Sequence, residues 1–143
     1  MSRYITIVVL IFGCWTIMSC QSYSSGLQQS VTRADETAAI AALHTISVSQ
    51  RTYSVSNNGN YGTFAQLVKG GYLDSRFDAD KPNVKGYVLT MNVPGEGAYN
   101  CSADPEGAGP QAVGRHFYLD SASGQIHVNP TQAATASDPT LGQ

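Results

Sequence analysis

Three histidines are the side chains best suited to metal or proton-transfer chemistry in this chain. His116 and His127 fall on two predicted strands, where they are expected to be diagonal neighbours on one sheet face. Two histidines can begin a metal site, but a third ligand is needed, and the nearest candidates, Asp120 and Asn129, do not complete one. His44 falls on a predicted helix surface. We interpret all three as surface or partly buried histidines and predict no metal site.

Asp74, Asp78 and Asp80 are grouped in a polar segment, residues 74–85, that is predicted to be a loop. Carboxylates are the usual calcium ligands, but the spacing here is not that of an EF-hand loop. We interpret the group as a solvated acidic loop.

Cys101 has no positively charged sequence neighbour to stabilise a thiolate. We interpret it as a strand cysteine packed like a small apolar residue. No Ser-His-Asp or paired-carboxylate pattern is found, and the glycine-rich segments 95–97 and 107–109 do not connect a strand to a helix as a phosphate loop does. The sequence therefore predicts no enzymatic activity and no cofactor.

The N-terminal segment carries a different chemistry. Arg3 precedes an apolar run, residues 5–18, that is shorter than the about 20 residues of a membrane-spanning helix. The run ends in Ile17-Met18-Ser19-Cys20, which resembles the bacterial lipobox: a branched aliphatic residue, a tolerant position, a small residue and a cysteine. We expect cleavage between Ser19 and Cys20.

This resemblance implies that residues 1–19 are a lipoprotein signal peptide and that Cys20 becomes an N-terminus carrying two or three acyl chains, such as palmitate. Several acyl chains are needed for stable anchoring, because one chain binds a membrane only marginally. Gln21, rather than Asp, follows the cysteine, which by resemblance to enteric lipoproteins favours the outer membrane. Cleavage by the general signal peptidase and an uncleaved anchor are the alternatives.

After cleavage, 124 residues remain, with seven basic and ten acidic side chains and a net charge of −3. This balance does not suggest a nucleic-acid partner, and the length suits one small domain. Cys14 leaves with the signal and Cys20 takes lipid, so Cys101 has no intrachain disulfide partner.

Residues 20–32 are predicted to form a polar tether, and an amphipathic helix is predicted over 33–55. Five residues at helical spacing form one mainly apolar stripe of this helix, namely Ala39, Leu43, Ile46, Gln50 and Tyr53. A short helix over 64–69 is expected to begin after Thr63 as its cap and to stop at Gly70-Gly71.

The second half of the chain has the pattern of strands. Four strands are predicted, over 87–93, 98–103, 115–120 and 125–129. Pairing Val93 with Ala98 would place Thr90 opposite Cys101, and the last hairpin would place Phe117 and Leu119 opposite Val128 and Ile126 on the face that covers the helix. The predicted fold class is α+β: an N-terminal amphipathic helix packed on a four-stranded antiparallel meander over 33–130, followed by a disordered tail, 131–143.

This order of elements resembles the head domains of type IV pilins and type II secretion pseudopilins. The stretch DETAAIAALHTISVSQRTYSVSNNGNYGTFAQLVKGGYLD is similar to the second half of a pilin spine helix with the loop and short segment that follow, and KGYVLTMNV and RHFYLDSASGQIHV are similar to pilin strands. The resemblance covers residues 34–130. A prepilin, however, has a long apolar helix with an early Glu, and here a short apolar run and a lipobox stand in its place.

The resemblances together imply a pilin-like domain on a lipid anchor, with a structural or interaction role and an envelope, pilus or secretion-system partner. Two alternatives stay open. The first is a ligand- or metal-binding periplasmic module that uses loops 74–85 or 104–114, and the second is a divergent pseudopilin that keeps its apolar N-terminus.

Overall fold

A computed structural model describes residues 21–95, 97–107 and 113–142, and side chains from Ser30 onward. The fold is α+β, as predicted, with one long helix and one antiparallel sheet. Every contact discussed below lies within residues 32–142, which form one compact unit.

Helix α1 spans Gln21–Ser56 and is longer than the predicted 33–55. Residues 21–30, expected to belong to a tether, are helical: they contain no proline, and extending a helix costs far less than nucleating one. The predicted stripe is largely buried, because Ala39, Leu43, Ile46 and Gln50 have no exposed surface.

Helix α2, Phe64–Lys69, has the predicted bounds and caps. The Thr63 hydroxyl accepts the Gln66 N–H, and the Gln66 side chain accepts the Thr63 N–H, which together form a capping box. A single 3₁₀ turn follows at Ser75–Phe77 and buries Phe77 against the ring of Phe64.

The sheet has five strands in the order β1-β2-β3-β4-β5, rather than the four that were predicted. They span Asn83–Val84, Tyr87–Gly95, Ala98–Pro105, His116–Asp120 and Ile126–Asn129. The additional strand, β1, lies inside the predicted 74–85 loop. Its two residues pair with Tyr87 and Val88 across a tight turn, which is too short a signal to recognise from alternation.

The predicted register of the last hairpin is confirmed, since Phe117 pairs with Val128 and Leu119 with Ile126. The predicted register of β2 and β3 is wrong. Ala98 pairs with Gly95 instead of Val93, and an irregularity between Asn92 and Gly95 then takes up one residue of β2. Cys101 therefore pairs with Met91 instead of Thr90. This shift places Thr90 on the outer face of the sheet and Cys101 in the core.

The C-terminal residues also differ from the predicted disordered tail. Thr140 forms a bridge with His127, and the Leu141 N–H donates to the Ile126 carbonyl at 2.7 Å. Ala134 is buried, and Leu141 packs against the main hydrophobic cluster. The small and polar residues of this segment gave no pattern that predicts order. The segment is ordered by contacts with His127 and Asn129 of β5.

Candidate functional site

The predicted processing and lipid-attachment residues, Ser19 and Cys20, lie outside the described residues. Across the described ranges, no helix combines the length and the apolar character that crossing a bilayer requires.

His116 and His127 lie on the same sheet face, but each is engaged separately. Nδ1 of His116 lies 2.7 Å from the Asp104 carboxylate, which also accepts a hydrogen bond from Ser102. Nδ1 of His127 lies 2.6 Å from the Asp138 carbonyl oxygen, so this nitrogen carries the proton. Within the described residues, no group of three or more His, Cys, Asp or Glu is arranged to hold a metal ion.

The remaining metal candidates are also separated. Asp120 binds the Ser123 N–H at 2.8 Å, and Asn129 donates to the Asp138 carboxylate at 2.8 Å. His44 is exposed on α1 and lines a shallow cleft of about 360 Å³ with residues 124–126 and 140–142.

The acidic group of the 74–85 loop is used locally. Asp74 caps the 3₁₀ turn by accepting the Arg76 N–H and forms a two-point ion pair with the Arg76 guanidinium. These hydrogen bonds, chiefly the side-chain bond, lower the pKa of the Asp74 carboxyl. Asp78 and Asp80 are exposed beside it.

Cys101 has no exposed surface. Burial raises the pKa of its thiol to about 12, with a smaller contribution from the Asp104 charge. Because thiolate is the reactive form, a cysteine in this position is chemically inert in the folded protein.

A buried carboxylate joins α1 to the start of β4. One oxygen of Glu36 accepts the Arg115 backbone N–H at 3.0 Å, and the other accepts two guanidinium hydrogen bonds at 3.1 and 2.8 Å. The Arg115 carbonyl accepts a bond from the Tyr87 hydroxyl at 3.0 Å, and burial raises the pKa of Tyr87 to about 12. Sequence reasoning missed this pair, whose members are 79 residues apart.

Gln50 performs a similar role at the other end of the domain. Its side-chain amide is fully buried, donates to the Gly62 carbonyl at 2.6 Å and accepts the Gly62 N–H at 2.9 Å. A primary amide satisfies both backbone polar groups of one residue in this way, so the loop after α1 is held without a strand partner.

A serine in the turn between β4 and β5 contacts a histidine of β5. Ser123 Oγ lies 3.4 Å from Nε2 of His127 and 2.9 Å from the Asp120 carboxylate. The backbone N–H groups of Ser123, Gly124 and Gln125 all donate to acceptors within the turn. They are therefore not available to stabilise an oxyanion, as acyl-transfer chemistry at Ser123 would require.

Beside this turn lies a cleft of about 380 Å³ that we call the Arg51 cleft. Its walls come from three parts of the fold, namely α1, the loop after it together with β3, and the β4–β5 turn. The lining residues are Ser47, Arg51, Tyr61, Tyr99 and residues 120–124. Sequence reasoning missed this cleft, and the only local signal is the Asp120-Ser121-Ala122-Ser123-Gly124 turn.

The floor of the Arg51 cleft is aromatic and hydroxyl-rich. Tyr61 and Tyr99 meet edge to face, with ring centres 4.7 Å apart. Burial raises the pKa of Tyr99, and a hydrogen bond with Ser47 opposes that rise. Ser47 also accepts a bond of 3.2 Å from the Arg51 guanidinium.

Comparisons of this chain with protein-family models, with curated proteins and with solved structures gave no match. The functional argument therefore depends on the residues and contacts described above.

Proposed function

We propose that this chain is a non-enzymatic, lipid-anchored, pilin-like protein of the bacterial cell envelope. In this proposal Cys20 carries the lipid, the domain faces the periplasm from the outer membrane, and its role is structural or interactive, linked to type IV pilus or type II secretion machinery. The observation that carries the proposal is the sequence Ile17-Met18-Ser19-Cys20 at the end of a 14-residue apolar run.

The lipid anchor follows from the length and the end of that run. Fourteen apolar residues are too few for an ordinary transmembrane helix and suit the central region of a signal peptide. A cysteine preceded by a small residue at the end of such a run supplies the thiol that lipobox processing requires. Two or three acyl chains then give the firm attachment that one chain does not give.

The pilin-like domain is supported by the order and packing of the elements. A long helix comes first, a short capped helix follows, and an antiparallel meander completes the domain. Leu43 and Ile46 of α1 share one hydrophobic cluster with Phe117 and Leu119 of β4. This arrangement fits the resemblance of residues 34–130 to pilin head domains.

The absence of enzymatic activity is part of the proposal and is supported by two observations, one on Cys101 and one on Ser123. The Cys101 thiol is buried and held protonated. Ser123 directs its hydroxyl toward Asp120, and the neighbouring N–H groups donate within the turn.

One observation favours the second candidate, a divergent pseudopilin that retains its apolar N-terminus. The described part of the segment expected to be a polar tether, residues 21–32, is helical. A helical segment here is what a continuous spine would show, whereas a lipoprotein tether does not require a helix.

Membrane fractionation separates these candidates. Cys20→Ala should move the proposed lipoprotein from the membrane fraction, or arrest it as an unprocessed precursor, while Cys101→Ala should leave localisation unchanged. A Cys20→Ala protein that has the same size as wild type and stays in the membrane fraction would contradict the lipid anchor.

The interaction role has its own test. Purification of the detergent-solubilised lipoprotein after cross-linking in intact cells should recover a pilus, secretion-system or envelope protein. A secreted form of the same domain, made by replacing residues 1–20 with a general signal sequence, serves as the control. Recovery of no such component above that control would contradict the interaction role.

A further inference from the structure

We propose that the Arg51 cleft binds an acidic saccharide unit, with the sugar carboxylate on Arg51 and the sugar ring against Tyr61. The cleft, of about 380 Å³, has the size of small-molecule sites, which range from about 300 to 1,000 Å³. It lies apart from both loops considered in the sequence, 74–85 and 104–114.

Arg51 gives the cleft a cation that can bind a carboxylate, while the carboxylate of Asp120 lines the opposite turn. The guanidinium of Arg51 donates to Ser47 at 3.2 Å, and none of the described carboxylates lies within 4.0 Å of it. A guanidinium has five N–H donors in a planar fork that matches a carboxylate. Most of these donors therefore remain for a ligand, in contrast to Arg115 and Arg76, which are paired with carboxylates.

The tyrosines give the cleft an apolar side. Tyr99 is buried, while Tyr61 is partly exposed at the cleft surface. The face of an aromatic ring is electron-rich and attracts weakly positive C–H edges. The C–H groups on one side of a sugar ring meet this requirement, while its hydroxyl groups point outward toward the polar wall.

The polar wall offers hydrogen-bonding partners for the hydroxyl groups of a sugar. Ser121 Oγ accepts the Tyr99 N–H at 3.2 Å, which leaves its own proton for a ligand oxygen. Asp120 accepts the Ser123 N–H at 2.8 Å and the Ser123 hydroxyl at 2.9 Å through one oxygen, Oδ1. Its carboxylate can therefore also accept a hydrogen bond from a sugar hydroxyl group.

The test is isothermal titration calorimetry of the full-length protein in detergent. The probes are a glucuronic acid disaccharide, the corresponding glucose disaccharide and acetate. We expect the acidic disaccharide to bind and Arg51→Gln to weaken that binding by about tenfold or more, because a charge-assisted hydrogen-bonded pair is lost. Arg33→Gln, an exposed arginine on the same helix, is the matched control and should leave the affinity unchanged.

Each other outcome overturns the proposal. Failure of the acidic disaccharide to bind, or equal binding by Arg51→Gln, removes the assigned site. Equal binding of the glucose disaccharide removes the role of the carboxylate, and equal binding of acetate removes the role of the sugar. The Arg51 cleft exists whether or not Cys20 is acylated, so this result is independent of the lipid-anchor test.

Discussion

Glu36→Ala removes the contact by which α1 holds the start of β4. The carboxylate is 8% exposed and accepts three hydrogen bonds from Arg115, one from the backbone and two from the guanidinium. After the substitution, the Arg115 N–H loses its charged acceptor at a partly buried position.

The expected cost comes mainly from the backbone bond. A hydrogen bond to a charged group contributes about 1.5–3 kcal/mol. The Arg115 side chain is 44% exposed, so its ion pair is screened and adds only about 0.5 kcal/mol. Alanine recovers a few tenths of a kcal/mol through its higher helix propensity. The net loss should be about 2 kcal/mol in the free energy of unfolding, or about 8 °C in Tm for a domain of this size.

Urea unfolding followed by far-ultraviolet circular dichroism measures this loss, with Asp35→Ala as the control. Asp35 lies on the same turn of α1, and its replacement should change stability by less than about 0.5 kcal/mol. Glu36→Gln should fall between alanine and wild type, because one amide oxygen still accepts the Arg115 N–H. A Glu36→Ala protein as stable as Asp35→Ala would refute the assigned role of this contact.

Three further predictions concern the core, a thiol and acid stability. Gln50→Leu should cost about 2–4 kcal/mol, because the backbone N–H and C=O of Gly62 both lose their partner; urea unfolding measures this, with Gln125→Leu as the exposed control. The Cys101 thiol should react with a disulfide reagent at least about 30-fold more slowly in the folded protein than an ordinary thiol, because it is buried and its pKa is raised from 9.0 to about 12; Cys101→Ser gives the background rate. Asp138→Asn should flatten the loss of Tm between pH 5 and 2, since hydrogen bonds from Thr135 and Asn129 hold the pKa of Asp138 below its usual 3.8.

The sign of the acid effect follows from proton binding. A carboxyl with a lowered folded pKa binds fewer protons in the folded state than in the unfolded state near its titration range. Its contribution to stability is therefore complete above the ordinary pKa and is lost as the pH falls through the lowered value. The acid-stability prediction is contradicted if Tm falls equally with decreasing pH in Asp138→Asn and wild type. The core prediction is contradicted if Gln50→Leu and Gln125→Leu have the same free energy of unfolding. Rapid labelling of folded Cys101 would contradict the thiol prediction.

Local patterns were sufficient to predict the buried stripe of α1, helix α2 and the last hairpin. The α1 stripe has helical spacing, Thr63 and Gln66 form a recognisable capping box, and Phe117 and Leu119 alternate opposite Ile126 and Val128. Each of these signals lies within a few residues of chain, where side-chain periodicity dominates.

Features that depend on distant residues were not predictable in the same way. The β2–β3 register depends on the irregularity before Gly95, which moves Met91 opposite Cys101. The C-terminal segment is held by contacts of Asn129 and His127 with Asp138. A segment of small polar residues has no apolar pattern that reveals such contacts in advance.

The Arg51 cleft illustrates the same limit for a candidate site. Arg51, Tyr99 and Ser121 come from different elements, and only the packed fold brings them to one surface. The Ile17–Cys20 motif is the opposite case, because it can be recognised from four consecutive residues, and it lies outside the described part of the chain.

The most direct test of the central claim is the intact mass of the membrane-extracted protein, measured for wild type and for Cys20→Ala. The account predicts loss of residues 1–19, addition of two or three acyl chains, and disappearance of both changes in the variant. A wild-type mass that retains residues 1–19 and carries no lipid would contradict the lipid anchor and favour the pseudopilin alternative.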